Sequence, residues 1–350
     1  MALIWEGSIN CANPFGHSRS LSIFAASAPY NNIPQYQQQR RHASREHRLQ
    51  CSMDCTIPRL IGLAKGSAWR YSSAADQTAS ESHPPERNTG GNSSDTSTMI
   101  PTPSTSHVNY NRVYEPAEDS YLLLDTLSAP TETAWLAERF PAESATPLAF
   151  EIGCGSGVVL AFVAANAESL LGRPDVATVG IDVNDFACKA TADTVSLAIK
   201  EAAPTNQSAF VGSIHGDLMT SLTPGAVDLL ICNPPYVPTE ELPNEFNLDD
   251  FADREDFGSD EAFERDSKYL ALAYAGGVDG MEVTNRLLEQ LPTALSRRGV
   301  AYILLCHQNR PEMVKERVRA WPGGWSAETV GSSGKKAGWE KLSILRIWRP

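Results

Sequence analysis

Residues 148–158 read LAFEIGCGSGV, an apolar run that leads into three alternating glycines and then into a second apolar run. Such a run is typical of a buried strand, and the glycines predict a tight turn into a helix that begins at Val158. The first backbone N–H groups of a helix have no partners within it, so this turn could bind a ligand closely. A tight turn without any ligand would give the same pattern.

Strand and helix patterns alternate on both sides of this turn. We predict helices at 117–127, 132–139, 158–170, 185–201, 281–295 and 311–320, and strands at 148–152, 177–182, 209–214, 227–232, 300–306, 326–330 and 342–348. This alternation indicates an α/β fold with a seven-stranded, mostly parallel sheet and helices on both faces. The turn-rich residues 331–338 predict that the last strand is antiparallel.

Composition divides the chain at about residue 108. Residues 1–108 are rich in Ser, Thr, Gln, Asn, Pro and Arg and lack apolar periodicity, which predicts a disordered, low-complexity extension. Two other interpretations stay open, a weak mitochondrial targeting segment and a working start at Met99. Residues 109–350 are predicted to form one folded domain, and we expect the protein in the cytoplasm, with the nucleus also open.

The charge of the chain is concentrated in one segment. The formal net charge is -13, and residues 239–266 contain twelve acidic against two basic residues. This balance argues against a protein that mainly coats nucleic acid or an anionic membrane. We interpret residues 239–266 as an acidic loop insertion, which is either a solvated loop or a surface that attracts a basic partner.

The cysteines and apolar runs point to no metal centre and no membrane anchor. Seven scattered cysteines form no Cys-x-x-Cys pair and no Cys/His cluster at zinc-ligand spacing, so we expect reduced thiols and no metal. His215 and His307 are expected to be ordinary polar residues. The chain contains no apolar run long enough to cross a bilayer, and no signal-peptide pattern stands at its start.

Acidic residues follow two of the predicted strands. Asp182 ends the second strand of the sheet, where its carboxylate could accept hydrogen bonds from both hydroxyls of a ribose. Asp217 follows the third strand and could accept from an adenine amino group. Each aspartate could instead cap a helix or a short turn. Together with the glycine turn, they favour a nucleoside cofactor.

The most specific motif is Asn233-Pro234-Pro235-Tyr236, which follows the fourth strand. Two prolines end the strand and hold the preceding residue in an extended conformation. The Asn233 oxygen and the Pro234 carbonyl could then accept both hydrogens of a planar –NH2 group, while Tyr236 packs against its face. A simple turn is the alternative, but the order of the motifs favours catalysis.

In this order, the motifs resemble those of class I S-adenosylmethionine-dependent methyltransferases with a Rossmann-like fold. Residues 113–125, 275–280 and 342–346 narrow the resemblance to the eukaryotic and archaeal branch of the HemK-type protein-glutamine N5-methyltransferases. The resemblance extends from about Val113 to Arg349. Ser120 stands where the family usually has Thr, and the acidic segment looks like an insertion.

The resemblance implies that the chain transfers a methyl group from S-adenosylmethionine to the glutamine of the Gly-Gly-Gln motif of the class I translation release factor. It implies catalytic residues at Asn233, Pro234, Pro235 and Tyr236. It implies cofactor-binding residues at Tyr114, Glu118, Ser120, Glu151, Gly153, Gly155, Gly157, Asp182, Asp217, Leu218 and Asn233. It also implies a heterodimer with a small zinc-binding activator protein, for which an apolar edge strand around Phe210 and Val211 gives a physical reason.

Two other functions remain open at this stage. An adenine N6-methyltransferase could hold an exocyclic amine in the same turn, although the acidic segment opposes a nucleic-acid groove. A cofactor-binding scaffold without turnover would not need the Asn-Pro-Pro-Tyr turn.

Overall fold

The computed structural model describes residues 8–12, 18–22, 100–243, 259–334 and 341–350. Most of the predicted N-terminal extension therefore lies outside the described residues. Within it, β1 (Ser8–Ala12) and β2 (Ser18–Ser22) form an antiparallel hairpin. The domain already packs before the predicted start at residue 109, since Ile100 packs against the core and Val108 is buried.

The domain consists of alternating strands and helices. The helices are α1 (Glu118–Ser128), α2 (Pro130–Arg139), α3 (Val158–Ala165), α4 (Ala167–Leu171), α5 (Asp185–Glu201), α6 (Ser259–Tyr274), α7 (Glu282–Ala294) and α8 (Pro311–Arg319). The strands are β3 (Leu148–Ile152), β4 (Ala177–Asp182), β5 (Ala209–His215), β6 (Val227–Cys232), β7 (Leu295–Cys306), β8 (Ser326–Ser332) and β9 (Leu342–Trp348). Short 3₁₀ helices lie at Val278–Gly280 and His307–Asn309.

The seven strands β3 to β9 form one sheet in the order β5-β4-β3-β6-β7-β9-β8. The neighbours from β5 to β7 pair in parallel, whereas β9 lies between β7 and β8 and runs antiparallel to both. The predicted α/β class, the seven strands and the antiparallel ending are confirmed. Strands β5 and β8 are the two edges.

Both faces of the sheet are buried, as the continuous apolar runs of the central strands require. Successive residues of β3 point to opposite faces, so that Phe150 packs with α7 and α8 while Ala149 packs with α1 to α3. All six residues of β6 are buried. The core therefore fixes the C-terminal ends of the parallel strands β3, β4 and β6 relative to one another, and these ends lie side by side.

Three element predictions were wrong in their bounds. The helix predicted at 158–170 is two helices, because the Asn166 side chain donates to the Phe162 carbonyl at 2.9 Å and ends α3. Strand β7 begins at Leu295 and not at Val300. Its register against β6 shifts between Val227 and Leu229, and this shift accommodates the residues between Leu295 and Val300. Helix α6 begins at Ser259, inside the segment interpreted as a loop insertion, while residues 244–258 of that segment lie outside the described residues.

No helix among the described residues is long and apolar enough to span a membrane.

Candidate active site

The glycine turn between β3 and α3 is open on one side. Gly153, Gly155 and Gly157 all have positive φ, which favours glycine over other residues. A Cβ at Gly155 would have no atom within 4 Å, so a ligand can reach this backbone. A Cβ at Gly157 would lie 2.6 Å from the Thr191 Cα, and this glycine is therefore required for the packing of α3 against α5.

Asp182, at the end of β4, ties this turn to the start of α5. Its Oδ2 accepts from the Gly155 N–H at 2.9 Å, and its Oδ1 accepts from the Asn184 N–H at 2.9 Å. Burial raises the pKa of Asp182, and the two backbone N–H donors oppose that rise. The cap of α5 is Asn184, which accepts from the Phe186 N–H. The alternative in which Asp182 caps this helix is therefore wrong.

Glu151 lies below the turn and is almost completely buried. Its Oε2 accepts from the Leu160 N–H at 2.9 Å. Burial raises the pKa of Glu151 to about 8, and the nearby Asp182 carboxylate contributes in the same direction. The site thus has a carboxyl group that titrates near neutral pH.

Asp217 follows β5 and forms an ion pair with Arg286 of α7. Both side chains are partly exposed, so the pair is accessible to solvent. Leu218 has a positive φ of 52° and is buried, which shows that this turn is tightly held. An adenine amino group at Asp217 would share the carboxylate with Arg286.

The Asn233–Tyr236 turn follows the C-terminal end of β6, next to the C-terminal end of β3, which the glycine turn follows. Ile152 at the end of β3 pairs with Cys232 at the end of β6, and a Cβ at Gly153 would lie 3.9 Å from the Asn233 carbonyl oxygen. The two predicted motifs are therefore adjacent. This turn, residues 233–236, is called the catalytic turn below.

The side-chain amide of Asn233 has one bonded and one free end. Its Nδ2 donates to Asp119 Oδ2 at 3.0 Å. Its Oδ1 is buried and accepts no hydrogen bond from the described residues. A buried acceptor without a donor is costly, and its place beside an open turn indicates that a ligand supplies the donor.

Asp119 is the site residue that the sequence did not reveal. It is buried at the start of α1, and its Oδ1 accepts from the Ser120 N–H at 2.6 Å and from Ser120 Oγ at 3.2 Å. Its Oδ2 accepts from the Tyr114 hydroxyl at 3.1 Å, in addition to Asn233, and the Tyr236 hydroxyl lies 3.5 Å away. Tyr114, Ser120, Asn233 and Tyr236 therefore meet on one carboxylate.

Glu118 does not join this cluster. Its side chain is exposed and makes no hydrogen bond or ion pair with the described residues. A signal for Asp119 existed in the sequence, because it lies between Glu118 and Ser120 in the first turn of a predicted helix. Its partner is 114 positions away, however, and spacing alone could not pair them.

The rest of the described chain adds no metal or disulfide to this site. No group of three or more His, Cys, Asp or Glu side chains in the described ranges could hold a metal ion. Cys154, Cys188, Cys232 and Cys306 are buried free thiols. The ring of His215 bonds to the Val183 carbonyl, as expected of an ordinary polar residue.

Comparisons with known proteins identify relatives over the domain just described. No family model matches the chain. It is 35% identical over 257 residues to the eRF1 methyltransferase catalytic subunit mtq2 of Schizosaccharomyces pombe, which covers 72% of this chain and 96% of that protein. It is 33% identical over 253 residues to Methyltransferase HEMK2 of Mus musculus, which covers 71% of this chain and 96% of that protein.

Among solved structures, the N-terminal domain of human METTL16 in complex with SAH is similar with a TM-score of 0.39 and 13% identity, over 67% of this chain and 72% of that one. The relationship to the two curated proteins is much closer and extends over almost their whole length. The chain therefore belongs to the HemK-type release factor glutamine methyltransferases.

Proposed function

We propose that this protein is the catalytic subunit of a protein-glutamine N5-methyltransferase that modifies the glutamine of the Gly-Gly-Gln motif in the class I translation release factor. The Asn233 side chain carries this proposal. No donor from the described part of the chain reaches its buried Oδ1, and its Nδ2 is held by Asp119, so the oxygen is the end that would face a substrate. The names of the two curated relatives support a release factor as substrate and a methyltransferase activity.

The glycine turn fits S-adenosylmethionine as the methyl donor. Gly155 leaves open space where a side chain would otherwise project, which admits a bulky ligand to the backbone. Asp182 would hold the ribose hydroxyls, because each carboxylate oxygen can accept a second hydrogen bond beyond its backbone donor. Glu151 and Asp217 would complete the binding of the cofactor.

The chemistry needs orientation more than a strong base. A side-chain amide nitrogen is a poor nucleophile, because its lone pair is delocalised into the carbonyl. When bound, S-adenosylmethionine supplies an electrophilic methyl group, and the electron pair of the broken C–S bond remains on sulfur. Asn233 Oδ1 and the Pro234 carbonyl would accept the two amide hydrogens, which orients the nitrogen and stabilises the positive charge that grows on it.

The proton leaves the nitrogen after the new N–C bond has formed. The Asp119 carboxylate already accepts from Asn233 and Tyr114, so its role is to hold the acceptor rather than to remove the proton. We propose that water takes the proton. The fixed geometry of the catalytic turn then accounts for most of the rate enhancement.

Transfer of labelled methyl groups tests the substrate. S-adenosylmethionine is offered with a Gly-Gly-Gln release factor, with the same factor carrying Gly-Gly-Asn, with oligonucleotides and with no acceptor. We expect label only in the Gly-Gly-Gln factor, and label in oligonucleotides alone would support an adenine methyltransferase instead. Asn233→Ala should abolish transfer and leave cofactor binding, measured by calorimetry, within a few fold of the parent.

A small zinc-binding activator protein is the partner that we propose for the β5 edge. Among the described residues, strand β5 has a neighbour on one side only, and Phe210 and Val211 are half-buried, whereas β6 is buried throughout. An open edge of this kind favours strand addition by another chain. Residues 99–350 expressed without the activator should be poorly soluble or weakly active, and full activity alone would rule out an obligate partner.

A further inference from the structure

We propose that Asn309 is a positioning residue that fixes the catalytic turn through the carbonyl of Tyr236. This inference rests on the proposed role of the catalytic turn in methyl transfer. It concerns a side chain that contacts neither the Asn233 amide nor Asp119, and that lies in the 3₁₀ helix after β7.

Asn309 is almost completely buried and uses its whole amide group. Its Oδ1 accepts from the Cys306 N–H at 2.8 Å, which fixes the direction of the side chain. Its Nδ2 then points to three carbonyl oxygens, those of Tyr236 at 3.1 Å, Asp279 at 3.1 Å and Gly280 at 3.2 Å. One side chain thereby joins the catalytic turn to residues 275–280.

Residues 275–280, here called the glycine buttress, pack closely against the Pro235 and Tyr236 carbonyls of the catalytic turn. A Cβ at Gly276 would lie 2.5 Å from the Pro235 oxygen, and a Cβ at Gly280 would lie 2.0 Å from the Tyr236 oxygen. Only glycine fits at either position, because any side chain would push the catalytic turn away. The contact also explains why glycine stands at positions 276 and 280, whereas a Cβ at Gly277 would meet the Glu282 side chain at 2.5 Å.

The buttress pairs with the chain just after the catalytic turn as well. The Val237 N–H donates to the Tyr274 carbonyl at 3.1 Å, and the Gly276 N–H donates to the Val237 carbonyl at 2.8 Å. The chain beyond Tyr236 is therefore fixed by ordinary backbone hydrogen bonds. Within the catalytic turn, Pro234 and Pro235 have no N–H groups, so the turn has fewer backbone donors of its own.

Asn309 adds a donor from outside the turn. With its Nδ2 on the Tyr236 oxygen, the peptide plane between Tyr236 and Val237 is held at one end of the turn, while Asp119 holds the Asn233 amide at the other. Loss of the Asn309 amide would remove this donor from the Tyr236 carbonyl, which also lies 3.9 Å from Cys306 Sγ, and would break the link to the Asp279 and Gly280 carbonyls. Misplacement of a reacting group by about 1 Å can lower a rate by about 100-fold.

The experiment compares Asn309→Ala with a matched control, Asn206→Ala. The Asn206 Nδ2 also donates to two carbonyls, those of Ala164 and Ala165, and its Oδ1 also accepts a backbone N–H. Both variants lose one bonded amide. We expect Asn309→Ala to lower kcat by about 100-fold, with the Kd for S-adenosylmethionine unchanged within a few fold, whereas Asn206→Ala keeps the kcat of the parent.

A second variant separates the donor from the acceptor of Asn309. Asn309→Asp keeps an oxygen for the Cys306 N–H but places carboxylate oxygen against three carbonyls. We expect kcat to fall at least as far as in Asn309→Ala at pH 8, and to recover in part at acid pH as the carboxyl group is protonated and can donate again. Parent-like kcat in either variant, at a temperature where both are folded, would overturn the proposal.

A spectroscopic measurement keeps this test independent of the substrate. In protein labelled with ¹⁵N-asparagine, the Asn233 side-chain signal should shift or broaden in Asn309→Ala and stay unchanged in Asn206→Ala. If the parent fails to methylate a Gly-Gly-Gln factor but the Asn233 signal responds in this way, the substrate is wrong and the positioning role stands. An Asn233 signal that does not respond to Asn309→Ala contradicts the positioning role.

Discussion

Asp119 determines which end of the Asn233 amide faces the substrate. Rotation of that amide by 180° would exchange an acceptor for a donor at the reacting nitrogen, and the carboxylate prevents it by bonding to Nδ2. In Asp119→Asn, the new side-chain amide can turn either its oxygen or its NH2 group toward Asn233. We expect kcat to fall by at least 10-fold, because part of the population then carries the flipped amide.

Stability measurements complement this prediction. Asp119→Ala removes the acceptor of Tyr114, Ser120 and Asn233, and leaving buried donors without partners costs about 1–3 kcal/mol. Urea denaturation of Asp119→Ala should show this loss. Asp125→Ala, which changes an exposed residue of the same helix, is the control and should unfold like the parent.

Glu151 makes stability depend on pH. Its pKa is raised to about 8 in the folded protein, chiefly by burial, so the folded state holds a proton that the unfolded chain releases in mildly acidic solution. The favourable contribution is complete below the pKa of the unfolded chain and is lost as pH rises through about 8. We expect the free energy of unfolding of the parent to fall between pH 5 and pH 8 relative to Glu151→Gln. Parallel curves for the two proteins would contradict this assignment.

The sequence predicted the residues that act through the backbone better than those that act through side chains. Gly155 and the two prolines have conformational effects that are local, and these could be inferred from residue type and spacing. Asp119 and Asn309 act through hydrogen bonds to residues 114 and 73 positions away. Such pairs depend on how the helices and strands pack, which spacing does not contain.

At the scale of the elements, two glycines of the glycine turn have different roles. Gly155 leaves room for a ligand, whereas Gly157 is needed for the packing of two helices. Gly157→Ala would force a Cβ to 2.6 Å from the Thr191 Cα, so α3 and α5 must move apart. Gly155→Ala meets no atom and costs only the positive φ, about 1 kcal/mol. We expect Gly157→Ala to lower Tm strongly, and Gly155→Ala to weaken cofactor binding with a small change in Tm. The reverse pattern would show that Gly155 supports packing instead.

Most strand bounds agree closely with those predicted from the sequence. Helix bounds agree less well where side-chain contacts determine where a helix ends. Strands β3, β4, β6 and β9 have the predicted residues, because β-branched and apolar runs end at clear breaks. The break at Asn166 coincides with a side-chain amide that donates to the Phe162 carbonyl, to which the Asn166 backbone N–H also donates. Helix α6 begins within an acidic segment, and its low apolar content concealed it.

Across the whole molecule, charge is the property that the sequence located most clearly. The acidic segment 239–266 begins three residues after the catalytic turn, and Glu240 and Glu241 are exposed. If this segment attracts a basic substrate, neutralising its acids should slow methylation at low salt and have little effect at moderate salt. Rates that are unchanged at low salt would indicate a solvated segment without a role in encounter.

The place of β9 also constrains how the protein is made. Strand β8 is synthesised before β9, yet β9 is the strand that holds β8 to the sheet. The sheet therefore cannot grow strand by strand in the order of synthesis. A chain that lacks the residues after 341 would have no β9 and would expose β7 as a sheet edge, a state that chaperones would have to protect.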